Sequence, residues 1–452
     1  MIFQLDEKDR SAPAAVSESG SALTYGALLD AAGEVSDAVK SRSLVFILAK
    51  NTIASLCCYI GCITKGAVPL LLDAGIDGKL LENLIAAYHP SYLFSPEGRL
   101  SETGLAPFAL HEDLGLLLTT SGSTGSPKLI RQTVSNMEAN AKSIAGYLGL
   151  TKDERPITTL PMNYTYGLSI LHSHLLVGAA ILLTEKSILQ KEFWQFFREG
   201  EATSFGGVPY TYEMLKKLRF FRMELPSLRT MTQAGGKLPS ELHREFAEYA
   251  ARTGRNFVVM YGQTEATARM SYLPPKRALE KTGSMGIAIP GGKLSLIDAG
   301  GREIADADTV GELVYEGPNV TMGYAESGAD LAKDDEWQGR LETGDMAKKD
   351  QDGYYYIVGR KKRFLKIYGN RVNLDEVEQI IKNNFGLECA CAGVDDHMNI
   401  FITDETFADS VRKSVSETTG IYFRAFEVRV IREIPKNEAG KTLYKELEES
   451  GE

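Results

Sequence analysis

The sequence has few of the residues that mark metal-binding, disulfide-rich or membrane-spanning proteins. Five cysteines and six histidines occur in 452 residues, and Cys389 and Cys391 are separated by one residue instead of the two or more of common zinc sites. The longest apolar run, LLVGAAILL, is far shorter than the roughly 20 residues that span a bilayer. We therefore expect no structural zinc and no membrane span, and we expect the cysteines to be buried free thiols.

The distribution of charge disfavours a nucleic-acid-binding protein, and the first residues disfavour a secreted one. The 50 basic and 60 acidic residues give a net charge of −10. No segment combines concentrated Lys and Arg with interleaved aromatic residues, so nucleic acid is not an expected partner. The first ten residues, MIFQLDEKDR, are too highly charged for a secretory signal. We expect a cytoplasmic protein.

Two common nucleotide-binding signatures are also missing. A P-loop requires G-x-x-x-x-G-K-[ST], whereas here Gly122 is followed five positions later by Pro127, and Leu129 follows Lys128. The dinucleotide fingerprint G-x-G-x-x-G does not occur. A P-loop ATPase and a nicotinamide-dependent dehydrogenase are therefore disfavoured.

What the sequence does contain is a strand, a polar loop and a helix in succession. Leu116–Leu118 predict a buried strand that enters the loop TTSGSTGSPK. Ser135 and Glu138 then have the spacing of a capping box before an apolar helical pattern. Hydroxyls, glycine-exposed amides and a lysine suit a phosphate. A flexible linker is the alternative, but the strand and the helix fix both ends of this loop.

A second unit of the same kind occurs in NFVVMYGQTEATARM. The run 257–260 predicts a buried strand, and the polar turn 262–265 follows at once. Ligands of open α/β sheets bind beyond the carboxyl ends of the strands. We therefore expect the two polar loops to face one site.

The pattern of predicted strands, turns and charged residues changes twice toward the end of the sequence. From about residue 283 short alternating strands and Gly-rich turns predict a β-rich portion. The basic segment GRKKRFLKIYGNR precedes a helix that is predicted to begin at Asn373. This segment is interpreted as the joint between two domains; the alternative, at Lys361 and Arg363, is a solvated lysine-rich turn. We predict an α/β protein whose domain 1–361 has layered α/β subdomains plus a β-rich subdomain, followed by a small mobile α+β domain over 362–452.

Several further segments, in order along the chain, carry a resemblance to a known family. They are PMNYTYG, AGGKLP, YGQTE, GELVYEGP, ETGD, GYYYIVGRKKRFLKIYGNRV and PKNEAGKTLY. Together with TTSGSTGSPK they resemble the adenylate-forming superfamily, which includes acyl-CoA synthetases, peptide-synthetase adenylation domains and luciferases. The resemblance implies that ATP and a carboxylic acid give an acyl-adenylate and pyrophosphate with Mg²⁺. A thiol of coenzyme A or of a carrier-protein phosphopantetheine then displaces AMP.

The same resemblance assigns residues to ATP. The cradle for the β- and γ-phosphates would comprise Thr120, Ser121, Gly122, Ser123, Thr124, Gly125 and Lys128. Tyr261, Gly235 and Gly236 would contact adenine, and Thr264 would contact the α-phosphate. Glu265 would bind magnesium. Asp345 and Arg360 would contact the ribose or phosphate region. Considered singly, Glu265 is as well explained as a solvated charge, and Arg360 as a surface charge.

The resemblance also gives the last ninety residues a catalytic role. Lys441 would bridge the attacking carboxylate and the α-phosphate. Lys362 would be the hinge about which the domain rotates for the second step. After that rotation Lys366 would approach the adenylate, and Gly369 would leave room for the pantetheine arm.

The identity of the acid is less defined. Tyr164, Gly207, Val208 and Pro209 are the candidate pocket residues. The segment LPMNYTYGLSIL has no acidic residue to pair with the ammonium of an amino acid, and an unpaired buried cation is costly. Acyl or aryl acids are therefore favoured. An amino-acid-activating enzyme that loads a carrier protein and a non-catalytic nucleotide-binding protein remain the alternatives.

Overall fold

The computed structural model describes residues 1–119, 128–361, 363–368, 370–436 and 442–449. The chain forms two compact units. The first is Met1–Leu294 with Tyr315–Leu341, and the second is Ser295–Val314 with Glu342–Glu452. The second unit thus takes in residues on the N-terminal side of 361, and the domain boundary at residue 361 stays a prediction.

The secondary structure of the described residues mixes strands and helices throughout. The helices are α1 (Tyr25–Ala38), α2 (Ile53–Lys65), α3 (Gly78–Tyr88), α4 (Val134–Leu148), α5 (Thr165–Val177), α6 (Lys191–Glu199), α7 (Pro209–Lys217), α8 (Ser240–Thr253), α9 (Leu374–Phe385), α10 (Ala408–Thr419) and α11 (Tyr444–Glu449). None of these is long and apolar enough to cross a membrane.

The strands fall into several sheets. Up to the β-rich portion they are β1 (Pro13–Ser17), β2 (Ala22–Thr24), β3 (Leu44–Ala49), β4 (Val68–Asp73), β5 (Tyr92–Phe94), β6 (Leu100–Glu102), β7 (Leu114–Thr119), β8 (Leu129–Thr133), β9 (Pro156–Ile157), β10 (Ile181–Leu183), β11 (Ser204–Gly207), β12 (Thr230–Gln233), β13 (Asn256–Tyr261), β14 (Ser271–Tyr272) and β15 (Ile287–Ala288). The remainder are β16 (Lys293–Ile297), β17 (Gly311–Glu316), β18 (Tyr324–Ala325), β19 (Arg340–Lys349), β20 (Tyr355–Arg360), β21 (Phe364–Ile367), β22 (Asn370–Asn373), β23 (Cys389–Val394), β24 (His397–Ile402) and β25 (Phe426–Val430).

A nine-stranded sheet of the first unit carries the predicted strand 257–260 within β13. Its order is β15-β14-β13-β12-β11-β9-β10-β1-β2. The strands from β13 to β1 are parallel, and α7 and α8 supply the crossovers that parallel neighbours need. Gly207 of β11 pairs with Gln233 of β12, which pairs with Val259 of β13. The carboxyl ends of these three strands therefore share one edge of the sheet.

A seven-stranded sheet of the same unit carries the predicted strand 116–118 within β7. Its order is β18-β8-β7-β4-β3-β5-β6. One hydrophobic cluster combines Ile47 of β3, Ile181 of β10, Cys58 of α2 and Leu171 of α5. Helices α2 and α5 thus form an apolar layer between the two sheets. All five cysteines are buried free thiols, as the sequence predicts.

The N-terminus of α4 differs from the sequence expectation. Ser135 and Glu138 do not form the capping box. Instead Thr133 is the N-cap: its hydroxyl accepts from the backbone N–H of Asn136 at 2.9 Å, and the Asn136 side chain accepts from the N–H of Thr133 at 3.0 Å. Thr133 is the last residue of β8 and has extended backbone angles, which an N-cap requires. The helix therefore begins directly where the strand ends.

The second unit combines short sheets with α9, α10 and α11. Most of a four-stranded sheet, in the order β16-β17-β19-β20, belongs to it, and the hairpin β21–β22 and the sheet β23-β24-β25 follow. Asn373 caps α9 by accepting from the N–H of Asp375 at 2.9 Å, which confirms the predicted helix start.

Arg363 is not part of a solvated turn; it is a largely buried cation of the second unit, with a side chain that is 11% exposed. Its guanidinium donates to the carboxylates of Asp375 and Glu378 and to the carbonyl of Cys391 at 3.1 Å. Its Cζ lies 3.7 Å from the ring centroid of Tyr444, and the Tyr444 hydroxyl donates to Glu378 at 3.1 Å. The network therefore ties α11 to α9.

We expect Arg363→Met to destabilise the second unit by about 3 kcal/mol, because the buried carboxylate of Glu378 and the partly exposed carboxylate of Asp375 lose their cation. Hydrogen–deuterium exchange across 370–436 measures this loss. Arg429→Met is a matched control, since its partner Glu427 is 46% exposed and such surface pairs contribute about 1 kcal/mol or less. Equal losses of protection in the two variants would contradict the assignment.

Candidate nucleotide and acid site

Three candidate segments lie side by side at the carboxyl edge of the nine-stranded sheet. Val208 follows β11, Gly235 stands just beyond β12, and Gly262 follows β13. Because β11, β12 and β13 are parallel neighbours, these turns open in the same direction. The predicted acid-pocket residues and the predicted adenine residues are therefore adjacent in the fold.

The turn after β12 is closely approached by the candidate pocket residues. A Cβ on Gly235 would lie 2.7 Å from the Tyr164 hydroxyl and 3.0 Å from Cγ1 of Val208, and Gly235 has a φ of +84°. A Cβ on Gly236 would lie 3.1 Å from Cγ of Pro209. Only glycine fits at 235, both for space and for backbone conformation. Burial raises the pKa of Tyr164 to about 12, so its hydroxyl stays protonated at neutral pH.

The wall around these residues is apolar. One buried cluster consists of Leu160, Tyr166, Ile170, Val208, Ala234, Val258 and Met260, with Tyr164 packed against it. Gly207 is confined as well, because a Cβ there would lie 2.9 Å from Cβ of Thr211. This surface suits the hydrocarbon part of an acid.

Glu265 and Lys128 are brought together through a residue that the sequence motifs do not indicate. Glu265 lies in a short 3₁₀ helix, Thr264–Ala266, directly after β13, and Thr264 is buried. The Tyr324 hydroxyl donates to Oε1 of Glu265 at 2.8 Å. Nζ of Lys128 lies 3.5 Å from the centroid of the Tyr324 ring and 3.5 Å from Oε1 of Glu326. Lys128 and Glu265 thus contact the same tyrosine, one at its ring and the other at its hydroxyl.

Tyr324 reaches this position because β18 pairs with β8. Tyr324 is opposite Ile130 in an antiparallel pair. Burial and then the nearby Glu265 carboxylate raise the pKa of Tyr324, so the phenol remains a hydrogen-bond donor. No local pattern in TMGYAE indicates this contact, since it depends on pairing across almost two hundred residues.

The segment that carries Tyr324 is fixed by Arg131, whose side chain is fully buried. The guanidinium donates to the carbonyls of Met322 at 2.8 Å, Tyr324 at 3.2 Å and Asp334 at 3.2 Å. It also pairs with Glu336 at 2.8 Å. A buried cation with this many acceptors is fully compensated, and it holds the Tyr324 strand in one register.

Residues 101–325 match the AMP-binding enzyme family. The chain belongs to the AMP-binding enzyme family.

Its sequence relatives are ligases. A 2-succinylbenzoate–CoA ligase of Listeria monocytogenes serotype 4b is 24% identical over 438 residues, which cover 91% of this chain and 90% of the relative. A feruloyl-CoA synthase of Amycolatopsis is 27% identical over 84% of this chain and 82% of the relative.

Solved structures share its fold. The o-succinylbenzoate coenzyme A synthetase of Bacillus subtilis, in complex with ATP and magnesium ion, aligns with a TM-score of 0.82 at 21% identity over 99% of this chain and 98% of that one. ATP-bound MatB from Rhodopseudomonas palustris aligns with a TM-score of 0.81 at 22% identity, over 99% of this chain and 98% of that one. The mixed α/β architecture of the AMP-binding enzyme is therefore the one predicted from its sequence.

In the second unit of the AMP-binding enzyme, the structure places Asp345 and Arg360 directly opposite each other in β19 and β20. Nε of Arg360 is 3.8 Å from Oδ1 of Asp345, and the carboxylate is largely buried while the guanidinium is exposed. The backbone N–H of Asp345 donates to the Thr343 hydroxyl at 3.1 Å. Lys366 lies in β21 with an exposed side chain, and its N–H donates to Asp395 at 2.7 Å.

Several predicted residues lie outside the described part of the chain. They are Thr120, Ser121, Gly122, Ser123, Thr124, Gly125, Lys362, Gly369 and Lys441. The residues that flank Lys441 are described: Lys436 and Thr442 form an antiparallel bridge, and the N–H of Leu443 donates to the carbonyl of Pro435 at 2.9 Å. The two ends of that segment therefore lie next to each other.

The residues present fit a magnesium–ATP complex better than an all-protein metal site. Within the described ranges no group of three or more His, Cys, Asp or Glu side chains could hold a metal ion. Mg²⁺ is commonly bound by one or two carboxylates together with substrate phosphates and water. Glu265 would supply such a carboxylate, and Lys128, which contacts the same tyrosine, would supply a cation for the phosphates.

We expect Tyr324→Phe to weaken Mg²⁺-dependent ATP binding about tenfold or more, because the hydrogen bond from the hydroxyl would orient the carboxylate of Glu265 toward the metal. Titration calorimetry with and without Mg²⁺ measures this. Tyr88→Phe is a matched control: its buried hydroxyl donates at 2.8 Å to the carbonyl of Ala325, next to Tyr324. If both variants bind Mg–ATP equally well, the hydroxyl does not orient Glu265.

Proposed function

We propose that the protein is an AMP-forming acid–thiol ligase. It activates an acyl or aryl carboxylic acid with ATP, releases pyrophosphate, and transfers the acyl group to the thiol of coenzyme A. The observation that carries this proposal is the junction of Lys128, Tyr324 and Glu265 beside an apolar pocket at three strand ends. The names of the related ligases agree with it.

In the first step a carboxylate oxygen attacks the α-phosphorus, and the bond to the β-phosphate oxygen breaks. Two anions approach each other, so preorganised positive charge dominates the catalysis. We assign Lys128 to the departing pyrophosphate, Thr264 to the α-phosphate and Lys441 to the reacting carboxylate. Glu265 would hold Mg²⁺, which neutralises phosphate charge when bound. Tyr261, half-buried at the end of β13 and bonded through its hydroxyl to Gln263 at 3.0 Å, is assigned to adenine.

The pocket favours acids without an α-ammonium group. The segment LPMNYTYGLSIL, which carries Tyr164, has no acidic residue to pair with such a cation. Amino-acid activation is the alternative, and it requires an acidic partner that this segment lacks.

Coenzyme A is the proposed acceptor because the related ligases are named for it. Phosphopantetheine on a carrier protein is the alternative, since it presents the same thiol arm. Asp345 and Arg360 are proposed for the ribose or phosphate region, Lys366 for the adenylate in the second step, and Gly369 for the pantetheine path. The five free thiols accord with a cytoplasmic location.

Lys441→Ala should lower acid-dependent ATP–pyrophosphate exchange by about 100-fold or more while ATP still binds, because a transition-state charge is lost. Exchange is first screened in the wild type over aliphatic, aryl and amino acids. Lys413→Ala, whose side chain is 77% exposed, is the control. Exchange with amino acids alone would overturn the choice of acid, and near-normal exchange by Lys441→Ala would remove that lysine from the mechanism.

Lys362→Pro should slow thioester formation more than adenylation, because it restricts the backbone at the proposed hinge. Exchange reports the first step, and release of AMP with coenzyme A or a loaded carrier protein reports the complete reaction. Equal loss in the two assays would place the hinge elsewhere.

A further inference from the structure

Arg269 is a second deeply buried cation of the first unit. It follows the YGQTE motif by four residues and is 3% exposed. Its carbonyl accepts from the side-chain amides of Asn140 at 2.9 Å and Asn319 at 3.2 Å. The backbone is thereby held, so the guanidinium stays inside the protein.

The guanidinium has too few partners for a buried cation. Nη1 donates to the Tyr147 hydroxyl at 3.1 Å and contacts Sδ of Met260 at 3.3 Å. Cζ lies 5.2 Å from the centroid of the Tyr166 ring. Nε has no hydrogen-bond partner, and no described carboxylate forms an ion pair with Arg269. An uncompensated buried charge is strongly unfavourable.

Arg269 borders the acid pocket described above. Tyr166 and Met260, which it touches, belong to the same buried cluster as Val208 and Ala234. Tyr166 is also the neighbour of Tyr164, with ring centroids 6.4 Å apart. The guanidinium therefore lies at the border of the cluster that is proposed to hold the hydrocarbon part of the acid.

A small cavity adjoins the guanidinium. It is lined by Arg269, His174, Ile170, Gly206 and Thr232 among others. Nδ1 of His174 lies 2.8 Å from the carbonyl of Ile170, while its Nε2 has no partner. Burial lowers the pKa of His174 to about 4, so this histidine is neutral at pH 7. Arg269 is thus the cation of the described cavity lining.

We propose that Arg269 binds a second carboxylate of the acid substrate, at the end remote from the carboxylate that reacts with ATP. This inference rests on the proposed function and names its substrate class as dicarboxylic acids. The bound carboxylate compensates the guanidinium and accepts from Nε. Tyr147 and Met260 orient the guanidinium of Arg269, and the apolar cluster holds the hydrocarbon chain or ring that joins the two carboxylates of the acid.

The test compares pairs of acids of equal length in which a carboxylate is replaced by a methyl group, in both an aliphatic and an aryl series. Wild-type kcat/KM in ATP–pyrophosphate exchange should favour the diacid by at least about 100-fold, because a site built to bind a polar group rejects the analogue that lacks it. Arg269→Met should abolish this preference and retain exchange with the methyl acid. Arg269→Lys should keep part of the preference.

Arg255→Met is the matched control. Arg255 also lies over a tyrosine, with Cζ 5.3 Å from the Tyr249 centroid, but it is satisfied by the carbonyls of Leu225 at 2.7 Å and Leu228 at 3.0 Å. Its replacement should leave the diacid preference unchanged.

The outcomes separate this inference from the proposed function. Exchange with no acid in the wild type would overturn both. Exchange in which the wild type prefers the methyl acid, or in which Arg269→Met retains the diacid preference, would overturn this inference alone. The wild-type comparison decides the matter even if Arg269→Met fails to fold.

Discussion

The buried guanidinium of Arg131 is the interaction on which the nucleotide end of the site depends. Lys128 directly precedes β8 of one sheet and Glu265 follows β13 of another, so neither sheet alone can bring the two charges together. Arg131 fixes the strand that carries Tyr324, and Tyr324 contacts both charges. A compensated cation in the interior therefore determines the geometry of a polar site at the surface.

The sequence predicts those parts of the protein that local patterns determine. The apolar runs at 116–118 and 257–260 lie in strands, as predicted. Lys128 and Glu265, the described residues nearest the predicted phosphate and magnesium positions, contact the same tyrosine. The cap of α4 was misjudged because Thr133 and Ser135 are equally good cap residues, and only the end of β8 selects between them. Arg363 looks solvated in a lysine-rich segment because its partners, Asp375, Glu378 and Tyr444, are distant in sequence.

In the candidate site, too, the sequence indicates residues that belong to local motifs and does not indicate residues that depend on distant pairing. Glycine at 235 is required by the approach of Tyr164 and Val208, and the AGG motif identifies that glycine without showing what approaches it. Tyr324 could not be found, because its contact with Glu265 depends on the pairing of β18 with β8. Motifs thus indicate the groups that are proposed to act on a ligand, whereas the residues that contact and position those groups depend on non-local pairing.

Three arginines differ in how their charge is balanced: Arg131 and Arg269 are buried, and Arg363 is largely buried. Arg131 has the carboxylate of Glu336, and Arg363 has two carboxylates. Arg269 has a phenol, a thioether and an aromatic ring, none of which carries negative charge. A methionine would fill much of the same volume without the desolvation cost. Stability alone therefore does not explain a guanidinium at position 269, whereas an anion that arrives with the substrate does.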